Sequence, residues 1–309
     1  MTTSPAGRRL VAGTLLALAL IVFGGPWSTS QVVFLSVVDA NGEPVSDLEL
    51  DEVIVQWDGV DCETLNLEPI DWPVRVTVFV DNGEGSLEAL QHMREGLKGF
   101  VDAIPEEVEV ALMTLARQPR WVTRHTSDRE ELARGIDLIV PDAGAAARFR
   151  DALIEEAGRL NDDEERQYFP VIVMVASDGP EGSTSLQPAY DKMLQRLIDS
   201  SATVHTRIFS GDRLSAGRGG LDNLGQQIQI GMNLRDVTRG SYEVLNVGTG
   251  FRTILPELAR EIARKHKMVS SQYRITYAPP DGVSDQAVTS ILTSRPGLNL
   301  IPTLDGNVP

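Results

Sequence analysis

Two aspartates stand where an apolar run gives way to a loop. In residues 75–86 (RVTVFVDNGEGS) the run 76–80 ends in Asp81, and small residues, Gly83, Gly85 and Ser86, precede a helical pattern. In residues 171–179 (VIVMVASDG) a second run ends at Asp178, with Ser183, Thr184 and Ser185 close behind. Open α/β sheets bind ligands beyond the carboxyl ends of their strands. Carboxylates there can accept hydrogen bonds or hold a cationic group, or they can simply cap neighbouring backbone.

Other chemistries find little support. His92, His125, His205 and His266 fall on separate expected elements, and no two share a metal-binding spacing. There is no Gly-x-Ser-x-Gly elbow. Gly83-x-Gly85 follows a strand, but Glu88 stands where a dinucleotide fingerprint needs its third glycine. The GRGG at 217–220 lacks the Lys-Ser/Thr of a phosphate loop and reads as a flexible loop. Cys62 is the only cysteine, so no intrachain disulfide forms, and it reads as a small buried hydrophobe. The sequence points away from an enzyme.

Charge narrows the partners. With 28 basic and 44 acidic residues the net charge is −16, which gives no general attraction for nucleic acid or anionic lipid. At the N-terminus Arg8 and Arg9 precede a nearly continuous apolar run, 10–23, and a small polar stretch containing Ser28 and Ser30. Residues 1–30 read as a signal peptide, with an uncleaved N-terminal anchor as the alternative. The expected location is exported, periplasmic or extracellular. No later stretch is apolar enough to span a bilayer.

The elements that must position the aspartates follow from periodicity. Residues 31–70 read as a β lead-in, with strands at 32–38 and 53–57 and turn signals at Asn41-Gly42 and Asp58-Gly59. Pro69 and Pro73 separate it from the next segment. From residue 71 to 267 strands at 76–80, 108–114, 171–177, 203–209 and 241–245 alternate with helical patterns at 87–104, 146–160, 187–200 and 254–267. Residues 121–123 read as an edge strand. Ser127 and Glu130 form a capping box for a helix reaching residue 139. This alternation predicts an α/β, mostly parallel, doubly wound sheet. Residues 268–309 return to β pattern, with strands at 271–277, 287–293 and 298–301. They are expected to join residues 31–70 in a small β-module built from both ends.

This order of elements, with its two aspartates, resembles the von Willebrand factor A domain over about residues 75–267. The flanks VFLSVVDANGEPV at 33–45, GSY at 240–242 and QYRITYAP at 272–279 resemble exported bacterial VWFA-related proteins. The resemblance implies a Rossmann-like domain with a metal-ion-dependent adhesion site. One loop of that site supplies Asp-x-Ser-x-Ser, a second a Thr and a third an Asp, and these oxygen ligands suit a hard divalent cation. Asp81 matches the first Asp and Asp178 the last. Gly83 and Gly85 replace both serines, and the second loop, 142–146 with Ala145, has no Thr. Three readings stay open. The site is lost and the module binds a protein partner by shape; or a shifted set from Glu84, Ser86, Asp142 or Ser177 with Asp81 and Asp178 holds Mg²⁺ or Ca²⁺; or the aspartates only cap backbone. The first is adopted: a non-enzymatic protein-binding, scaffold-like module with no cofactor. A hydrolase on the same scaffold is the alternative class. The expected partner-binding residues are Asp81, Gly83, Gly85, Ser86, Ala145, Asp178 and Ser183. Without a metal the two carboxylates should repel, so that one pKa rises or a cation intervenes, with Arg148 as the candidate.

Overall fold

The computed structural model describes residues 30–163, 165–210, 225–280 and 289–308. The expected signal segment and the GRGG loop lie outside these residues. The chain divides into two compact units, 72–266 and a second built from residues before 72 and after 266.

The larger unit holds a six-stranded sheet. β5 (Val74–Val80), β6 (Val110–Thr114), β8 (Phe169–Ser177), β9 (Thr203–Phe209) and β10 (Tyr242–Leu245) run parallel, and β7 (Arg120–Thr126) is antiparallel at one edge. The order across the sheet is β10-β9-β8-β5-β6-β7. β8 is buried along its whole length, as a central strand covered on both faces must be. One core cluster joins Phe79, Ile172 and Met174 to Phe149, Leu153 and Met193. The latter three belong to α3 (Phe149–Asp162) and α4 (Gln187–Asp199). The other helices are α1 (Leu90–Ala103), α2 (Arg129–Leu138), α5 (Gln226–Thr238) and α6 (Phe251–Val269). The expected α/β doubly wound sheet is the one observed. β5 leads to β6 on one side and β8 to β9 on the other, so Asp81 and Asp178 follow the two strands at the topological switch point.

Three local expectations are corrected. The α2 cap is Asp128, whose carboxylate accepts from the Glu130 and Glu131 amides, and not Ser127. Thr126 Oγ1 accepts the Asp128 amide and fixes the entry to that helix. Pro69 lies inside β4 (Glu63–Ile70) and does not end it. Among the described residues β4 pairs only with β11 (Gln272–Ala278), and an edge strand tolerates a missing amide. Helix α5 occupies a stretch with no expected element.

In the smaller unit β1 (Gln31–Val38) sits between β13 (Asn299–Thr303) and β11, with β4 outside β11. A second sheet pairs β12 (Thr289–Thr293) with β2 (Val53–Trp57), and β2 with β3 (Val60–Asp61). Val33, Leu35, Val55, Trp57, Tyr273 and Ile275 form its core. The Tyr273 hydroxyl accepts the Leu48 amide at 2.8 Å. Among the described residues no helix is long and apolar enough to cross a membrane.

Candidate functional site

Three loops meet at the carboxyl end of the large sheet. They are 81–86 after β5, 142–147 before α3, and 178–185 after β8. Backbone hydrogen bonds lock them together. The Glu84 amide donates to the Ala145 carbonyl at 2.9 Å, and the Asp142 amide to the Asn82 carbonyl at 2.7 Å. The Ala147 amide donates to the Pro180 carbonyl at 3.2 Å, and the Gly182 amide to the Ala147 carbonyl at 2.7 Å.

Asp81 forms the floor. It is 1% exposed. Its Oδ1 accepts the Gly83 amide at 2.8 Å, and its Oδ2 accepts the Ser177 amide at 3.1 Å and the Ser177 hydroxyl at 2.5 Å. Burial lifts its carboxyl above the usual range, while these three donors pull it down. The expected repulsion from a second carboxylate is not the cause. Arg148 does not intervene either: its guanidinium pairs with Asp151 at 3.2 Å.

Gly83 and Gly85 hold the loops close. A Cβ on Gly83 would stand 2.6 Å from the Ala145 carbonyl oxygen. One on Gly85 would stand 2.4 Å from the Gly179 Cα and 2.5 Å from Ser177 Oγ. Backbone therefore fills the space where hydroxymethyl groups would sit. Ser86 is buried, and its hydroxyl donates to the Gly83 carbonyl at 2.9 Å. Ala145, also buried, contributes backbone only.

Asp178 faces elsewhere. Its amide donates to the Phe209 carbonyl, and its carboxylate lies against Gly225, at the start of α5. A Cβ on Gly225 would fall 1.4 Å from its Oδ1. Its charge is also felt at Tyr242, whose hydroxyl is pushed up to about 12, mainly by burial.

The third loop is tied to α3. Ser183 Oγ accepts the Asp151 amide at 3.0 Å. Glu181 accepts the Phe149 and Ser183 amides, and burial raises its carboxyl. Asp151 accepts the Thr184 and Ser185 amides at 3.0 and 3.1 Å. Burial opposes its ionisation, yet these bonds and Arg148 hold its carboxyl below the usual range. Neither Glu181 nor Asp151 was expected at the site. Both lie where a helix N-terminus leaves amides to satisfy, the one signal that could have drawn attention to them.

The residues present do not fit a divalent ion at the position that the resemblance implies. Both Asp81 oxygens are engaged by backbone and Ser177, and no hydroxyl ligand faces them from the glycine or alanine positions. Of the shifted set, three of the four members are engaged elsewhere. Asp142 is held by Arg117 at 2.5 and 2.9 Å, and the hydroxyls of Ser86 and Ser177 are spent on Gly83 and Asp81. Among the described residues no group of three or more His, Cys, Asp or Glu could hold a metal.

The chain matches no protein-family model and no curated protein. Among solved structures it is similar to a von Willebrand factor type A protein from Catenulispora acidiphila. The identity is 11% and the TM-score 0.48, over 89% of this chain and 73% of that one. It is similar to the vWF domain of the type V pili tip protein Mfa5 from Porphyromonas gingivalis, with 12% identity and a TM-score of 0.46, over 62% and 96% of the two chains. Proximal thread matrix protein 1 from the mussel byssus, solved with a zinc occupied MIDAS motif, is similar at 15% identity and a TM-score of 0.45, over 64% of this chain and 50% of that one. The likeness is one of fold.

Proposed function

We propose that this chain is an exported, non-enzymatic protein-binding module whose sheet top works without a metal. The observation that carries the reading is the mutual locking of the three loops, with Gly83 and Gly85 allowing backbone to fill the ligand positions. A surface already ordered by its own hydrogen bonds loses little conformational freedom on association, so it needs no ion to organise it. Export is supported by the N-terminal sequence pattern at 1–30. The acidic chain favours a neutral or basic partner over most of its surface.

The binding face in this reading comprises the loops at 81–86, 142–147 and 178–185. Gly144 has open space around it and accepts a photo-crosslinking residue. The expected result is a crosslinked partner from the cell envelope, with the yield reduced several-fold by Glu84→Arg, a change at an exposed position of the first loop. Equal yields from both proteins would remove the sheet top as the face.

A further inference from the structure

Beside the locked loops a groove of about 440 Å³ opens between β7 and the chain leaving α2. Trp121 and Val122 form one wall, and Leu138 and Val140 the other. Leu138 and Val140 are 70% and 63% exposed, so they cover no core. Asn82 fixes the floor: its Nδ2 donates to the Val140 carbonyl at 2.8 Å, and its Oδ1 accepts the Ala116 amide at 3.1 Å.

The rim is cationic in a chain of net charge −16. Arg117 has a left-handed backbone, φ 62°, which is uncommon for a residue with a side chain. Held there, its guanidinium grips Asp142 in bidentate fashion. Arg120 also lines the groove and makes no ion pair among the described residues. The guanidinium groups of Arg124 and Arg159 lie 4.6 and 4.9 Å from the centre of the Trp121 ring. One carboxylate thus faces two rim arginines; Arg159 is itself neutralised by Glu155 and Glu156, so the excess charge of the rim rests on Arg120.

We propose that this groove docks a short peptide segment of a partner protein that pairs a large apolar side chain with a carboxylate. The apolar group seats between Trp121 and Val140, and the carboxylate meets Arg120. Two features argue against simple strand addition along β7. Its pairing with β6 slips register twice, and Arg120 and Arg124 stand on it. Bulges and charges of this kind blunt an edge strand. The proposal rests on the protein-binding reading and adds the chemistry of the segment recognised.

The test uses the full chain and two fluorescein-labelled peptides, Glu-Leu-Phe-Glu and Lys-Leu-Phe-Lys, followed by anisotropy. The acidic peptide should bind at least ~10-fold tighter than the basic one, a difference of ~1.4 kcal/mol. Arg120→Glu should reverse that order, and Leu138→Asn with Val140→Asn should weaken both peptides, since both carry the apolar pair. These side chains are exposed, so circular dichroism should show the fold unchanged. Glu84→Arg should leave the preference for the acidic peptide as it is, which separates this test from that of the sheet-top face. Equal affinity for the two peptides, no saturation up to ~1 mM, or binding untouched by Arg120→Glu would overturn the proposal.

Discussion

The Ser177 hydroxyl donates to Asp81 Oδ2 at 2.5 Å, joining the ends of two neighbouring parallel strands. The bond closes the floor of the sheet top from inside. It engages the carboxylate oxygen that would otherwise be open to another donor or to an ion. Ser177 is 1% exposed, so water does not compete for the contact.

Placing serines at positions 83 and 85 should therefore not create a metal site. Gly83→Ser and Gly85→Ser each push a side chain into backbone. Overpacking of this kind costs ~1–3 kcal/mol per site. In a unit of this size Tm should fall ~2–4 °C for each kcal/mol. Calorimetric titration of the double variant with Mg²⁺, Ca²⁺ and Mn²⁺ should show no saturable binding. Gain of binding with an unchanged Tm would mean that the loops open readily.

Metal removal gives a complementary check on the natural chain. Treatment with a chelator should leave its Tm within ~1 °C, because a ligand that does not bind the folded state cannot stabilise it. A fall that Asp81→Ala abolishes would identify a bound ion at this floor.

Asp81 and Asp151 should respond to pH in opposite senses. The Asp81 carboxyl is raised from 3.8 by burial, so its favourable contribution is complete below the unfolded value and is lost as pH rises through the folded one. For Asp151, lowered from 3.8, the contribution is present above the unfolded value and is lost as pH falls through the folded one. Urea unfolding between about pH 3 and about pH 7 should read this as slopes of opposite sign for wild type minus Asp81→Asn and wild type minus Asp151→Asn. Parallel slopes would contradict the environments described for the two carboxyls.

Gly225→Ala and Asp178→Ala should be coupled. The added methyl would run into the Asp178 carboxylate, and shortening that side chain should relieve the collision. A double-mutant cycle on stability should give an interaction of ~1–3 kcal/mol. Additive effects would place Asp178 away from α5.

Thr77 tests a buried network below the site. Its hydroxyl donates to Glu156 Oε1 at 2.8 Å and lies 3.0 Å from His125 Nε2. Burial, with Arg75, Arg159 and Arg124 nearby, pushes the His125 imidazole down to about 3. Thr77→Val should cost ~1–3 kcal/mol in denaturant unfolding, because it strips a partner from buried polar groups. A neutral substitution would mean that water enters to replace the hydroxyl.

Much of the fold was legible because buried strands announce themselves. Residues 203–209 form an unbroken buried strand, and Asp81 and Asp178 follow strands that apolar runs already marked. Helix α5 escaped because its inward face is not plainly apolar. Gln227 is 1% exposed, and Gly231 sits where a Cβ would press on Tyr242 and Thr206. The closure of the site was illegible for another reason. Gly83 and Gly85 read as missing ligands, whereas their role in allowing close approach depends on Ala145 and Gly179, which come from other loops.

The pairing of β1 with β11 and β13 also sets an order of events in time. β1 leaves the ribosome well before either neighbour in its sheet has been synthesised. Until then its backbone donors and its apolar face, Val33, Leu35 and Val37, have no native sheet partner. Contacts of such long sequence separation form slowly and leave strand edges open to wrong pairings. The smaller unit thus cannot assemble its four-stranded sheet on a nascent chain that still lacks β13.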